Sequence, residues 1–170
     1  MMKSRPEFTF PYLEDSSAFP HLFALSSLHF PAFLAANFTA IESSAIRALA
    51  RALVNAGCVY YCTGGPDCER AHDIIDEVCF YIVPPIMTTW HSKETLEQAL
   101  WFFAFNAIPD SRYAGTATSA LAISIGNTGW QQLINNRLSN LEELNHNIVN
   151  GPWQRMQLST KASGGLRELT

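Results

Sequence analysis

Two short polar segments carry most of the reactive side chains in this 170-residue chain: Thr63-Gly64-Gly65-Pro66-Asp67-Cys68 and Thr88-Thr89-Trp90-His91. Cys68 is expected in the first turn of a helix, where the dipole favours a thiolate. His91 is the candidate base, and a carboxylate such as Asp67 or Asp76 could orient it. Cys68, His91 and Asp67 thus form a candidate catalytic set, with Thr89, Trp90, Asp76 and Asn37 as candidate binding residues around them. The chemistry would be hydrolysis or group transfer. A plainer reading competes with it. The glycines and Asp67 make a turn, Trp90 plugs the sheet edge, His91 helps to cap a helix, and Cys68 is a small buried thiol. No established cysteine-hydrolase signature surrounds Cys68, so whether the protein is an enzyme stays open.

Three other constellations carry less. Cys58, Cys62, Cys68 and His72 have the spacing C-x3-C-x5-C-x3-H. Cys58 and Cys62 fall on one expected strand and cannot converge on a metal that needs ligands at about 2.3 Å, so no metal is expected. Gly64-Gly65 precedes a helix, but the Walker and dinucleotide patterns are absent, and Asp67 already supplies negative charge there. No cofactor is expected. Asp73, Asp76 and Glu77 span about one helical turn. They could meet a cation or a basic partner, although a solvated helix face explains them more simply.

The elements that must position these groups follow from periodicity. Ile46, Leu49, Ala50, Leu53 and Val54 fall at i, i+3, i+4, i+7 and i+8, with Arg47 and Arg51 on the other side, which predicts an amphipathic helix ending at Gly57. Ser43 and Ser44 are its expected caps. Further helices are expected over Cys68 to about Phe80, from a Ser92 cap to about Asn106, and, as one helix, over Leu133 to Ile148. Strands are expected over Ala32–Thr39, Cys58–Cys62, Ile86–Thr89 and Ala117–Ile125, with another short one near Leu22–Leu25. Alternation of strand and helix implies an α/β fold: a small, mostly parallel sheet of about four strands covered by helices. Flavodoxin-like order is the first choice and Rossmann-like order the alternative. In the first-choice order 2-1-3-4, Asn37 and Thr39 would lie between the two polar segments. Residues 1–30 read as an aromatic, proline-rich arm packed on the domain, 31–150 as the α/β domain, and 151–170 as a tail.

Composition bounds the function. The chain is 48% hydrophobic and 15% charged, with a formal net charge of -4. Disordered chains lack such apolar content. A general nucleic-acid binder would show a basic excess, so no nucleic acid is expected. The longest apolar run, Ala99 to Phe105, is far short of the roughly 20 residues of a membrane helix, so no membrane is expected either. The apolar stretch Leu22 to Ala36 is broken by Ser26, Ser27, His29 and Pro31 and preceded by acidic Glu7, Glu14 and Asp15, so it does not read as a secretory leader. The four cysteines are too few and too clustered for a secreted disulfide scaffold, which makes the cytoplasm the expected location.

One resemblance adds to this. The run Gly57-Cys58-Val59-Tyr60, then Gly65-Pro66-Asp67-Cys68, Asp73 and Asp76, then Met87-Thr88-Thr89-Trp90-His91 with Glu94, is similar to a family of small bacterial proteins that form a domain of unknown function. The resemblance covers about residues 30–125. It implies a bacterial intracellular domain and draws attention to Asp67, Cys68, Asp76, Thr89, Trp90 and His91, without implying a reaction. The leading expectation is a binding protein, immunity- or defence-associated, that takes a protein partner or a small polar ligand. A small Cys68/His91 hydrolase or transferase is the rival.

Overall fold

The computed structural model describes residues 6–15 and 27–151. In chain order these form β1 (Glu7–Thr9), β2 (Tyr12–Leu13), β3 (Phe30–Ala36), α1 (Ser43–Asn55), β4 (Cys58–Gly64), α2 (Cys68–Cys79), β5 (Met87–His91), α3 (Leu96–Asn106), β6 (Ser119–Ile125), α4 (Thr128–Ser139) and α5 (Leu141–Val149). The expected strand near Leu22–Leu25 and the tail beyond Gly151 lie outside the described residues.

The α/β class holds, with six strands rather than four, all paired in parallel. The two extra strands come from the arm: β1 and β2 both run beside β6. The order is β1-β6-β3-β4-β5. Counting the four long segments in chain order gives 3-2-1-4, the Rossmann-like alternative, and this replaces the flavodoxin-like first choice. The reason lies in α3. Its apolar surface needs cover, and it finds that cover by crossing back over the sheet, where Phe103 meets Phe33 at 5.6 Å between ring centroids. The chain therefore re-enters beyond β3, next to β6. One consequence corrects the expected layout: Asn37, after β3, does not lie between the two polar segments. The turn after β4 separates it from β5.

Every residue of β3, β4 and β6 is buried, as expected where helices cover both sheet faces. On one face Leu34, Tyr61, Leu121 and Ile123 pack with Ile46, Leu49 and Leu53 of α1 and Ile75 of α2. On the other, Phe33, Cys62 and Ala122 pack with Leu100 and Phe103 of α3, Ile134 of α4 and Leu144 of α5. Pro31 can sit inside β3 because the register with β4 shifts between Phe30 and Pro31, which spares a missing N–H.

Several element ends differ from expectation for local reasons. Glu42 rather than a serine occupies the cap position of α1. α3 is capped by Thr95 rather than Ser92, because Thr95 and Gln98 form a reciprocal capping box: Gln98 N–H to Thr95 Oγ1 at 3.2 Å, and Thr95 N–H to Gln98 Oε1 at 2.8 Å. The single last helix is two, since Asn140 ends α4 and its side chain caps α5 by accepting the Glu143 N–H at 3.3 Å.

Candidate functional site

At the carboxyl ends of β3 and β4 two turns lock together. The Phe38 N–H donates to the Pro66 carbonyl at 2.9 Å. Arg70, in the first turn of α2, ties both. Its Nε donates to Asp67 Oδ2 at 2.6 Å, Nη1 to Ser43 Oγ at 3.1 Å, and Nη2 to the carbonyls of Phe38 and Ile41, the latter at 3.1 Å. Asp67 adopts a left-handed φ of 61° and makes no side-chain cap bond to α2. Its carboxylate is turned instead to Arg70. Asn37 is spent locally: its Oδ1 accepts the Thr39 N–H at 3.2 Å and the Thr39 hydroxyl at 2.5 Å.

Gly65 explains itself by space. Its φ is 108°, and a Cβ there would lie 2.3 Å from the Ala36 carbonyl oxygen and 2.9 Å from the Trp130 ring. Trp130 comes from α4, whose start is capped by Asn127 accepting the Trp130 N–H at 3.0 Å. Open α/β sheets bind ligands where the strand order reverses, here between the ends of β3 and β6. In this chain an indole stands there against the glycine turn.

Cys68 and His91 do become neighbours, but across the sheet rather than side by side. β4 pairs with β5 so that Gly64 faces His91. Cys68 is fully buried in the α1/α2 layer. Burial raises its thiol pKa, opposed by a hydrogen bond from the His91 backbone. Desolvation therefore overrides the lowering expected from the helix dipole. The His91 ring belongs to the opposite layer and leans on Phe102 of α3 at 4.7 Å between centroids. It is 6% exposed, with Nδ1 3.8 Å from Glu94 Oε1. Its Nε2 has no hydrogen-bond partner among the described residues. Burial lowers the His91 pKa, and Glu94 pulls it back only in part. Thr89 is inward-facing too, its hydroxyl donating to the Tyr61 carbonyl at 3.3 Å and lying 3.3 Å from Cys62 Sγ.

Asp76 and Trp90 meet elsewhere, over the α2 side of β5. The Thr88 hydroxyl donates to Asp76 Oδ1 at 2.9 Å and so accepts from His72 Nε2 at 3.1 Å. The His72 ring stands 4.5 Å from that of Trp90, with Nδ1 3.2 Å from Asp73 Oδ1. Among the described residues β5 is here the end of the sheet. Large apolar side chains are exposed at the end of α2 and after it, Phe80 at 72%, Tyr81 at 88% and Val83 at 82%, and on β5 itself, Trp90 at 44% on the α2 side and Met87 at 45% on the other. A shallow groove of about 430 Å³ is lined by Asp73, Asp76, Glu77, Phe80 and Tyr81.

A family model described as Domain of unknown function (DUF7684) matches residues 9–141. The chain belongs to this family. The match is wider than the resemblance read from the sequence, and it reaches back to the end of β1. Searches of the curated proteins and of the solved structures return no match.

Within the DUF7684 domain, sequence reasoning missed Arg70, Trp130 and the Phe80–Val83 surface. Arg70 carries one signal, its place three residues after Asp67. Trp130 carries none, since only the fold brings α4 to the Gly65 turn. A second cavity, about 530 Å³ and lined by residues such as Pro31, Phe103, Ala107, Ile108, Ala117 and Leu141, opens at the opposite pole, where β3 and β6 begin. None of the residues singled out in the sequence reaches it. Among the described residues no group of three His, Cys, Asp or Glu side chains could hold a metal ion, and no helix is long and apolar enough to cross a membrane. All four cysteines are free thiols.

Proposed function

We propose that this protein is a partner-binding module that works through the exposed edge formed by the end of α2, the 80–86 link and β5. The observation that carries this reading is the exposure of Phe80, Tyr81 and Val83 at the end of α2, with Trp90 exposed on the α2 side of β5 and Met87 on its other side. Large apolar side chains left in water mark interaction sites when they cluster. The Phe80 and Tyr81 rings already pack edge to face, with centroids 4.9 Å apart, so the surface is partly pre-organised. Small size, acidic balance and aromatic content were the sequence grounds for an immunity- or defence-type partner in a bacterial cell interior. That setting stays part of the proposal, and the edge supplies a place for such a partner to sit.

A photo-crosslinking residue at position 81, compared with one at exposed Val149 on α5, tests this in the host cell. The expected result is a discrete crosslinked species from position 81 only. No product there, or the same smear from both positions, refutes the reading.

A second reading, a small polar ligand at the strand ends, is favoured by one observation: the buried, unpartnered Nε2 of His91. A thermal-shift screen against nucleotides and amino acids, run on wild type and His91→Phe, tests it. A shift present in wild type and lost in the variant supports it. No shift, or an equal shift in both, removes it.

A further inference from the structure

Resting on the partner-binding reading, we infer that β5 accepts an extended, lysine- or arginine-bearing segment of the partner as an added strand. Three observations converge. First, among the described residues β5 ends the sheet and has β4 as its neighbour on one side only. Sheet edges are usually defended by charged side chains, proline or a bulge. The opposite edge follows that rule: β1 is three residues long, carries Glu7, and is followed by Pro11. In β5 such residues stand only outside the strand, Pro84-Pro85 before it and Lys93-Glu94 after it; Met87-Thr88-Thr89-Trp90-His91 itself contains neither lysine, carboxylate nor proline, and its pairing with β4 runs without a register shift. Five residues of strand span about 17 Å, enough to hold a partner segment of similar length through alternating main-chain hydrogen bonds.

Second, the side chains flanking this edge are sorted by chemistry. Thr88 and Trp90 face the α2 layer, where Asp76 and Asp73 meet them through the Thr88 hydroxyl and the His72 ring. Met87 stands exposed at the start of the strand. An added strand alternates its side chains in the same way. Those on the α2 side would run toward Asp73, Asp76 and the Phe80–Tyr81 pair, a groove that combines carboxylates with aromatic faces. A cationic side chain with an aliphatic stem fits both features at once.

Third, the charge argues for a different molecule and against a second copy. If two β5 edges paired antiparallel about a two-fold axis, both α2 helices would flank the seam on the same sheet face. Asp73 and Asp76 of each copy would then oppose one another, and like charges so placed are repulsive. A basic strand turns the same carboxylates into an attraction.

The experiment uses the full chain and three acetylated, amidated octapeptides: (Lys-Val)4, (Glu-Val)4, and (Lys-Val)4 with N-methyl groups on alternate residues to block one hydrogen-bonding edge. Affinity is read by titration, and register by hydrogen exchange at the β5 amides. The expected result is binding of (Lys-Val)4 with slowed exchange across residues 87–91, at least tenfold weaker binding of the N-methylated peptide, and none of (Glu-Val)4. Asp73→Asn with Asp76→Asn should weaken (Lys-Val)4 at least fivefold while leaving the circular dichroism spectrum unchanged. Equal affinity for the N-methylated peptide, indifference to the double substitution, absence of (Lys-Val)4 binding, or a wild-type dimer that buries β5 would each overturn the inference. The crosslink from position 81 is read separately, so a partner that crosslinks there while the peptides fail leaves the partner-binding reading standing and removes strand addition alone.

Discussion

Gly65→Ala is the sharpest single test of how the rim is built. Two penalties act on it. An L side chain at a φ of 108° is in a backbone region that costs about 1–2 kcal/mol for alanine. The new Cβ would also stand 2.3 Å from the Ala36 carbonyl oxygen, which belongs to the central strand β3 and cannot swing away. Overpacking of that kind typically costs about 1–3 kcal/mol. The expected loss is therefore about 2–5 kcal/mol, a large share of the roughly 5–15 kcal/mol that holds a domain together. For a chain of this length that is a fall in Tm of roughly 5–15 °C. Urea titration followed by circular dichroism and tryptophan fluorescence measures it. Gly115→Ala is the control, since nothing lies within 4 Å of its added Cβ. It should stay within about 0.5 kcal/mol of wild type or gain slightly. A cycle with Trp130→Leu separates the two contacts at Gly65. The ring, at 2.9 Å, can move, so most of the cost should persist in the Trp130→Leu background. A Gly65→Ala variant within 0.5 kcal/mol of wild type would refute the account of this turn.

Three other outcomes are expected. Arg70→Met should cost about 1–3 kcal/mol in the same titration, because it removes the guanidinium donor from the Ile41 carbonyl and leaves that of Phe38 with the Ile41 N–H alone, and Arg70→Lys should recover only part, lacking the fork to meet several acceptors; full recovery by lysine would count against this. His91 has a folded pKa below its ordinary 6.5, so just below pH 6.5 the unfolded chain takes up a proton that the folded chain refuses, and stability falls as pH drops through that window. Chemical denaturation between pH 7.5 and 5 should show that slope in wild type and a shallower one in His91→Phe, and parallel slopes would show that His91 is not its source. Burial pushes the thiols of Cys62 and Cys79 up to about 12 and raises those of Cys58 and Cys68, so native labelling by a thiol reagent at pH 8 should be limited by opening of the fold, and one rapidly reacting equivalent assigned to Cys68 would contradict the buried placement.

What the sequence determined by itself was the alternation of elements and the residues that bury. Ile46, Leu49, Ala50 and Leu53 could face a core in only one way once the period was helical, and they do. The strand–helix alternation likewise implied a parallel sheet, because each crossover returns the chain to the same end. Strand order was not legible, since the same alternation serves 2-1-3-4 and 3-2-1-4 equally well. It was decided by where α3, apolar at Phe102, Phe103 and Phe105, could find cover. The same limit governs the site. Sequence placed Cys68 and His91 at the ends of two strands with a third between them; the assembled sheet makes those strands, β4 and β5, direct neighbours, but the parity of a strand decides which layer a side chain enters, and it sent the His91 ring toward α3 while Cys68 faced α1 and α2. Asp76 and Trp90 were singled out separately and met only through His72 and Thr88. Short-range physics writes the elements into the chain, whereas the place of β5 at the end of the described sheet is a property of the assembly, set by long-range packing that no local pattern records.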